Sequence, residues 1–577
     1  MNWRERVFPL YIGSVVSIFS GKMVLALMVA SLGMLGNLYA TTLTVTNAAD
    51  SGVGTLRQAL ADANDGDTID FDAEVTYITL TSGRLGINDS IHIKGPGSAD
   101  LTIDGNANDR IFYMIKAGTT SIVSGITVKN GAIEGSTTIG GGIFLGTNDT
   151  LSLTISNCVI SGCTAGYGGG GIGLSGGKVE IVDTTITGCS ATNSGGDGGA
   201  IFNETGLGLY LKNCSISGNT ADDEGGAVYS KSKMIAENCT ITSNSVQDTG
   251  GGVSFKSVNT STSLIVNCTI SNNASTNDGG GIRIYDSNVD ISNCLIAANS
   301  AGDDGGGAYV DAASHERTTH IWSSTFSDNT AQVKGGALLV DDQKVWIHYP
   351  TFSGNASVGG TTDSDGGAIQ QVTGRSYLSI DSSLFYNNHA TDDGGALVLR
   401  DPAELRNCTI SGNIADDQGG GLYLHGGSTE TQKIYNCTIY SNTCATATKG
   451  GGIYLSTSDL ELFSSIIVSN VVGEDIHGTP AIMNYCLYGT RSATPDSETN
   501  NIIGNARLAS LADNGGPTLT HALMKGSAAI DAGSNPLALA YDQRGGGYAR
   551  EFPAGYPDIG AFEYRSGEPL GALMIIH

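Results

Sequence analysis

The side chains in this sequence best suited to chemistry are acids that come in pairs just ahead of two glycines. They stand at Asp222, Asp223, Asp303, Asp304, Asp392, Asp393, Asp416 and Asp417, with single acids at Asp248 and Asp278. Loop carboxylates are hard oxygen ligands and suit Ca²⁺. The eight paired aspartates are therefore the candidate calcium ligands, and calcium is the one cofactor the sequence suggests. The plainer reading is a solvated loop in which Asp favours the turn. Glycoside hydrolysis needs two carboxylates flanking one bond, and pairs that recur along the chain single out none. A lyase would want a base beside cation-holding acids. Arg283 and Arg400 face no evident partner in sequence, His425 in "LHGG" reads as a lone loop histidine, and the 9 His are scattered. No catalytic residue is assigned.

Of the 11 cysteines, seven share one setting, "NC" before a small or apolar residue: Cys158, Cys214, Cys239, Cys268, Cys294, Cys408 and Cys437. If that setting stacks, neighbours approach disulfide range, but a ladder of small buried thiols is the simpler reading. No CxxC pair exists to hold structural zinc. The "NC[ST]" tripeptides match the glycosylation sequon in form and are read instead as a ladder of stacked asparagines followed by a turn.

These residues need an element to position them, and it repeats. The Gly-Gly motif ends in an apolar residue at Ile143, Ile172, Ile201, Val228, Val253, Ile282, Tyr309, Leu338, Ile369, Leu397, Leu422 and Ile453, in steps of 25 to 31 residues. Within each unit apolar residues alternate, as at Leu151, Leu153 and Ile155, so the period is two and the elements are strands. About three short strands per unit cannot bury their own apolar face, and the units must stack. The fold class expected is all-β, a right-handed parallel β-helix of the pectin-lyase-like kind. A β-propeller blade would need a longer period. Gly-Gly then marks a corner with no room for a Cβ. In "TLRQALADANDGD", Leu56, Ala59, Leu60 and Ala63 fall on one helical face, which predicts a helix capping the first coil.

The domain reading is a signal peptide over 1–40, an N-terminal cap and first coils over 41–130, repeat coils over 131–473, a distinct C-terminal region over 474–564 and a tail over 565–577. Arg4 and Arg6 precede an apolar run, and a second run over 23–36 ends in "NLYA", with cleavage expected at Ala40; Met23 is an alternative start. No later stretch is apolar enough to span a bilayer. The chain has 577 residues, 83 Gly and a formal net charge of −27. That acidity argues against nucleic acid and anionic lipid as partners and suits an exported surface.

Two resemblances follow from these motifs. "GGAI", "GGAV" and "GGAL", with "FSDN" at Phe326, "FSGN" at Phe352 and "FYNN" at Phe385, resemble the repeats of chlamydial polymorphic outer membrane proteins. "LADNGGPTLTHALMKGSAAIDAG", "DQRG" and "DIGAFEY" resemble the choice-of-anchor domain (type Q) of bacterial β-helix surface proteins, and "LTVTNAADSGVGTLRQALADANDGDTIDF" is similar to the opening of those proteins. The resemblance implies a bacterial protein that is secreted or displayed on the cell surface. The function expected is adhesion or glycan binding along an extended repeat surface without catalysis, with glycans or a host or neighbouring cell surface as partners. Polysaccharide lyase or glycoside hydrolase is the alternative from another class, and a structural surface spacer is the third.

Overall fold

The computed structural model describes residues 40–566, apart from 205–206, 259–260, 314–315, 361–362, 427–430, 457–458 and 553–554. The expected signal peptide, up to its last residue, and the tail from 567 lie outside the described residues. From Thr41 onward the chain forms one compact unit.

The unit is a parallel β-helix. One coil shows the plan: Val228–Ser230, Met234–Glu237, Thr240–Thr242 and Ser245–Val246 follow one another, and each pairs in parallel with its counterpart in the coils on either side. The three strands expected per coil are present. The fourth has two residues, too few to show a period of two. Among the described residues the stacked strands make an 18-stranded sheet, a 15-stranded sheet that follows Gly-Gly, a 12-stranded sheet of the two-residue strands, and a further sheet running from Tyr77–Thr79 to Ile502–Ile503. No helix among them is long and apolar enough to cross a membrane.

The apolar markers stack in register, Ile201 on Val228, Val253 and Ile282, and they fill a continuous core. One marker is corrected. Ala308, not Tyr309, pairs with Ile282 and Leu338. The core position lies three residues after the first glycine of the corner, and there a small residue fills it while Tyr309 turns outward beneath Arg283, 4.1 Å from its guanidinium carbon.

The corner explains its glycines. Gly225 has φ 69°, and a Cβ on Gly226 would strike the carbonyl oxygen of Gly251 in the next coil. The capping helix α1 (Leu56–Asp62) is present, with the Thr55 hydroxyl accepting from Gln58 N and with Leu56, Ala59, Leu60 and Ala63 buried over the first coil.

The asparagine ladder needs a second correction. The "NC" asparagines are turn residues in the left-handed region, with φ 53° at Asn157 and 52° at Asn213. Two of them still touch, Asn238 donating to Asn213 at 3.3 Å. The buried ladder lies six residues downstream, through Asn219, Asn244, Asn273, Asn299, Asn329, Asn355, Asn388, Asn413, Asn442 and Asn470. Each Nδ2 donates to the next Oδ1 at 2.8–3.0 Å, and each Oδ1 also accepts the backbone N–H of the coil before it. The last amide ends on Asp475 Oδ1 at 2.8 Å. A left-handed turn favours Asn for its short polar side chain, while a buried column needs a group that donates and accepts at once.

All 11 cysteines are buried free thiols. Burial pushes Cys158 up to about 11 and Cys486 up to about 12, so these two stay protonated and unreactive.

After Ile502–Ile503 the chain turns back along the outer face of the sheet that holds Thr409–Ser411 and Thr438–Tyr440. Thr518 Oγ1 donates to Ser382 O, Thr409 Oγ1 to Gln543 Oε1 at 2.6 Å, and Asn436 Nδ2 to Ser534 O at 3.2 Å, while Gly560 N donates to Ser464 O at 2.8 Å. A small core of Ile466, Val468, Leu487, Leu523, Ile559 and Phe562 seals the contact. The motifs "DQRG" and "DIGAFEY", with Arg550 between them, supply the buried charges of this segment. Arg544 pairs with Asp542 at 2.6 Å between the rings of Tyr548 and Phe562, and Arg550 pairs with Glu563 at 3.4 Å.

Candidate functional site

The acids ahead of Gly-Gly occupy the loop that joins each two-residue strand to the corner, and they stack into a strip. Asp304 and Asp393 lie in the column directly before the first glycine, with Asp197, Glu224, Asp278 and Asp365. Asp223, Asp303, Asp392 and Asp417 lie one residue earlier, and Asp222 and Asp416 one earlier again. The inner column has a structural task. Its aspartates accept the amide N–H of the same position one coil on: Asp197 from Glu224 at 3.1 Å, Asp278 from Asp304 at 3.4 Å, Asp304 from Lys334 at 3.0 Å, Asp365 from Asp393 at 3.3 Å and Asp393 from Gln418 at 3.1 Å. Burial and then neighbouring carboxylates push Asp393 up to about 7 and Asp392 up to about 6. For Asp304, at about 7, burial again acts first, partly offset by Lys334.

Among the described residues, one group brings three carboxylates within 4.8 Å of one another, namely Asp365, Asp392 and Asp393. Two of the eight predicted aspartates therefore meet, and the other six do not join such a group. Asp365 was missed because a serine stands where its neighbours have a second acid. Its Oδ2 is held by Arg400 at 2.7 Å, the partner that sequence spacing did not reveal for this arginine. Arg283 likewise pairs with Asp311 at 3.3 Å.

One place in the strip differs in kind. Glu224 accepts the Ser254 hydroxyl at 2.9 Å and pairs with Lys256. Asp197 beside it is pushed up to about 8, first by burial and then by the Glu224 charge.

The exposed face of the 18-stranded sheet carries a second arrangement, of residues that sequence reasoning did not single out. His320 pairs in register with Trp346, and Trp322 with His348, so indole and imidazole alternate diagonally over two coils. Trp322 is 43% exposed and Trp346 40%. Around them, His320 meets Asp290 at 2.8 Å, His348 meets Asp381 at 3.1 Å, and Tyr377 lies 5.5 Å from Trp346. The carboxylates fix the imidazoles, and the imidazoles flank the indoles. The signal was present in "THIWSS" and "KVWIHYP", whose tryptophans fall on outward positions of a period-two strand. Exposed tryptophans on a flat sheet offer π faces to a ligand with an apolar face and a polar rim, which is the chemistry of a sugar ring.

A family model described as a right handed beta helix region matches residues 141–319 and 306–515. Among solved structures, the chain is similar to pectate lyase Pel9A at 12% identity, over 91% of this chain and 96% of that one, with a TM-score of 0.20. It is similar to the PL6 family alginate lyase AlyGC at 12% identity, over 80% of this chain and 99% of that one, with a TM-score of 0.19. No curated protein matches the chain. At such identity and TM-score neither lyase lends its activity to this chain.

Proposed function

This chain belongs to the right handed beta helix family, and from that premise we propose that it is a secreted or cell-surface protein that binds glycans, or adheres through them, along its coils and without catalysis. The observation that carries the reading is the exposed pair Trp322 and Trp346, framed by Tyr377 and two carboxylate-held histidines. Aromatic faces of this kind hold sugar rings weakly one at a time, and a rod that presents several contacts gains by avidity. The net charge of −27 keeps nucleic acid out of the reading. The likeness of the C-terminal motifs to a choice-of-anchor domain supports display outside the cell. The chain from Ala40, retained on immobilised polysaccharides with and without Ca²⁺, tests both the surface and the aspartate strip. We expect retention on at least one glycan, falling at least tenfold in the Trp322→Ala/Trp346→Ala double variant. Equal retention of the variant would refute the assignment. Loss of retention on chelation would point to Asp392 and Asp393 as calcium ligands.

A second reading, polysaccharide lyase or glycoside hydrolase, is favoured by one observation: Asp197, Glu224 and Lys256 meet where the strip departs from its pattern. Unsaturated products or new reducing ends in the same incubations would establish it.

A further inference from the structure

At the N-terminal end of the solenoid, outside the tryptophan face and the aspartate strip, a cleft of about 540 Å³ opens among Arg84, Arg110, Tyr113, Phe144, Thr138 and Glu204. Tyr113 and Phe144 are successive outward residues of the 15-stranded sheet, stacked at 5.3 Å. Arg110 lies over both rings, its guanidinium carbon 5.4 Å from one centroid and 4.6 Å from the other, and Arg84 lies over Tyr113 at 4.4 Å.

Arg110 is the anomaly. It is only 8% exposed, its Nε has no hydrogen-bond partner, and among the described residues it forms no ion pair. Asp109, its neighbour in the chain, accepts the backbone N–H of Arg110 at 2.8 Å through Oδ1 and meets Arg84 at 3.5 Å through Oδ2. Burying a charge without a counter-ion is costly. The two rings offset part of that cost from the faces of the guanidinium plane, but its buried Nε–H still lacks an acceptor. A protein with 56 acidic and 29 basic side chains sets Asp109 beside this arginine, yet among the described residues pairs no carboxylate with its guanidinium. An arginine edge left open in a cleft matches a carboxylate from outside. The opposite lining limits what else the ligand carries. Glu204 would repel a second carboxylate placed against it, and with the hydroxyls of Thr138 and Tyr167 it would accept from or donate to a ligand's hydroxyl groups.

We propose that this cleft binds a sugar acid, a single pyranose-sized unit with one carboxylate, its acid group on Arg110 and Arg84 and its hydroxyls toward Glu204. The unit is either a free monosaccharide acid or one residue of an acidic polysaccharide, and the two sources share this chemistry. The site is independent of the glycan contact proposed above, because it uses neither tryptophan.

Isothermal titration of the chain from Ala40 tests it with glucuronate, galacturonate and a trimer of each, against glucose and acetate. Binding of at least one sugar acid is expected, at least tenfold tighter than glucose or acetate. The affinity should fall at least tenfold in Arg110→Gln and stand unchanged in Trp322→Ala/Trp346→Ala. Tighter binding of the trimer would assign the cleft to a chain, and equal binding to a single unit. If Arg110→Gln does not fold, Arg84→Gln at the exposed rim replaces it, with a loss of about threefold or more expected. Absence of sugar-acid binding, affinity for acetate equal to that for the sugar acids, or unchanged affinity in the arginine variants would overturn the proposal. Because the tryptophan variant is carried alongside, failure here and failure of the tryptophan face are separately visible.

Discussion

At the scale of the residue, the aspartates before Gly-Gly show how one residue type serves two ends. A carboxylate beside a buried amide N–H satisfies a donor that would otherwise be orphaned, and this explains why the inner column recurs whether or not a cation ever visits it. The cost appears on ionisation. Asp393 and Asp304, held at about 7 against an ordinary 3.8, keep a proton in the folded chain that the unfolded chain has already released. The folded state then binds more protons between those values, so stability falls as pH rises through that interval and levels above it. Thermal unfolding followed from about pH 4.5 to about pH 8 should show a falling midpoint. Asp393→Asn, which retains an acceptor oxygen for Gln418 N, should flatten part of that slope. A midpoint that rises over the same interval in the wild-type chain would contradict this account.

At the scale of the element, the coil is held by columns rather than by individual strands. A two-residue strand contributes little on its own, but it sits against the asparagine ladder, whose amides close the hydrogen bonds of the adjoining turn. Phe326, Phe352 and Phe385 stack at 5.0 and 4.9 Å beside that ladder, so the "FxxN" motif joins an aromatic column to an amide column. Asn355→Ala would remove the acceptor for both Asn329 N and Asn329 Nδ2 and the donor to Asn388 Oδ1. With each buried orphan costing about 1–3 kcal/mol, the loss should be roughly 3 kcal/mol, read as a lowered urea midpoint. Substituting the exposed turn residue Asn267→Ala should cost far less, and comparable losses would mean that the ladder is not the load path.

At the scale of the whole molecule, the solenoid must protect its ends and its exposed sheet. The first coil is covered by α1. The last coils are covered by residues 505–552 and 555–566, which are held to the sheet by hydrogen bonds and a small apolar core and are themselves locked by buried ion pairs. Arg544 is the centre of that lock, with Asp542, Tyr548, Phe562 and the carbonyl of Glu563 around it. Removing one partner of a buried pair costs about 3–5 kcal/mol. Arg544→Met should therefore loosen the returning segment before the coils open. Limited proteolysis read by mass spectrometry should cut within 505–566 at least tenfold faster than in the wild-type chain, leaving a resistant solenoid. Simultaneous degradation of both parts would show that the segment and coils unfold together.

The repeat alone determined the fold. The Gly-Gly spacing, the alternation of Leu151, Leu153 and Ile155, and the helical face of Leu56 to Ala63 each state a local preference that stacking satisfies, so local and global order agree. The acid strip was also visible, because residues at one repeat position must stack when coils do. Three things depended on tertiary placement. In six units, such as Asn213 with Asn219, two asparagines look alike in sequence, and only burial separates the turn former from the ladder. Trp322 and Trp346 are placed on the solvent face only once their register is fixed, since a one-residue shift reverses the face of every side chain. Arg84 and Arg110 lie in irregular early coils with no period to align them, and the pairing of Gly86 with Tyr113 and Tyr113 with Phe144 is what builds a cleft around them. Repetition writes the scaffold into the sequence, whereas a binding site arises where single residues from different coils meet.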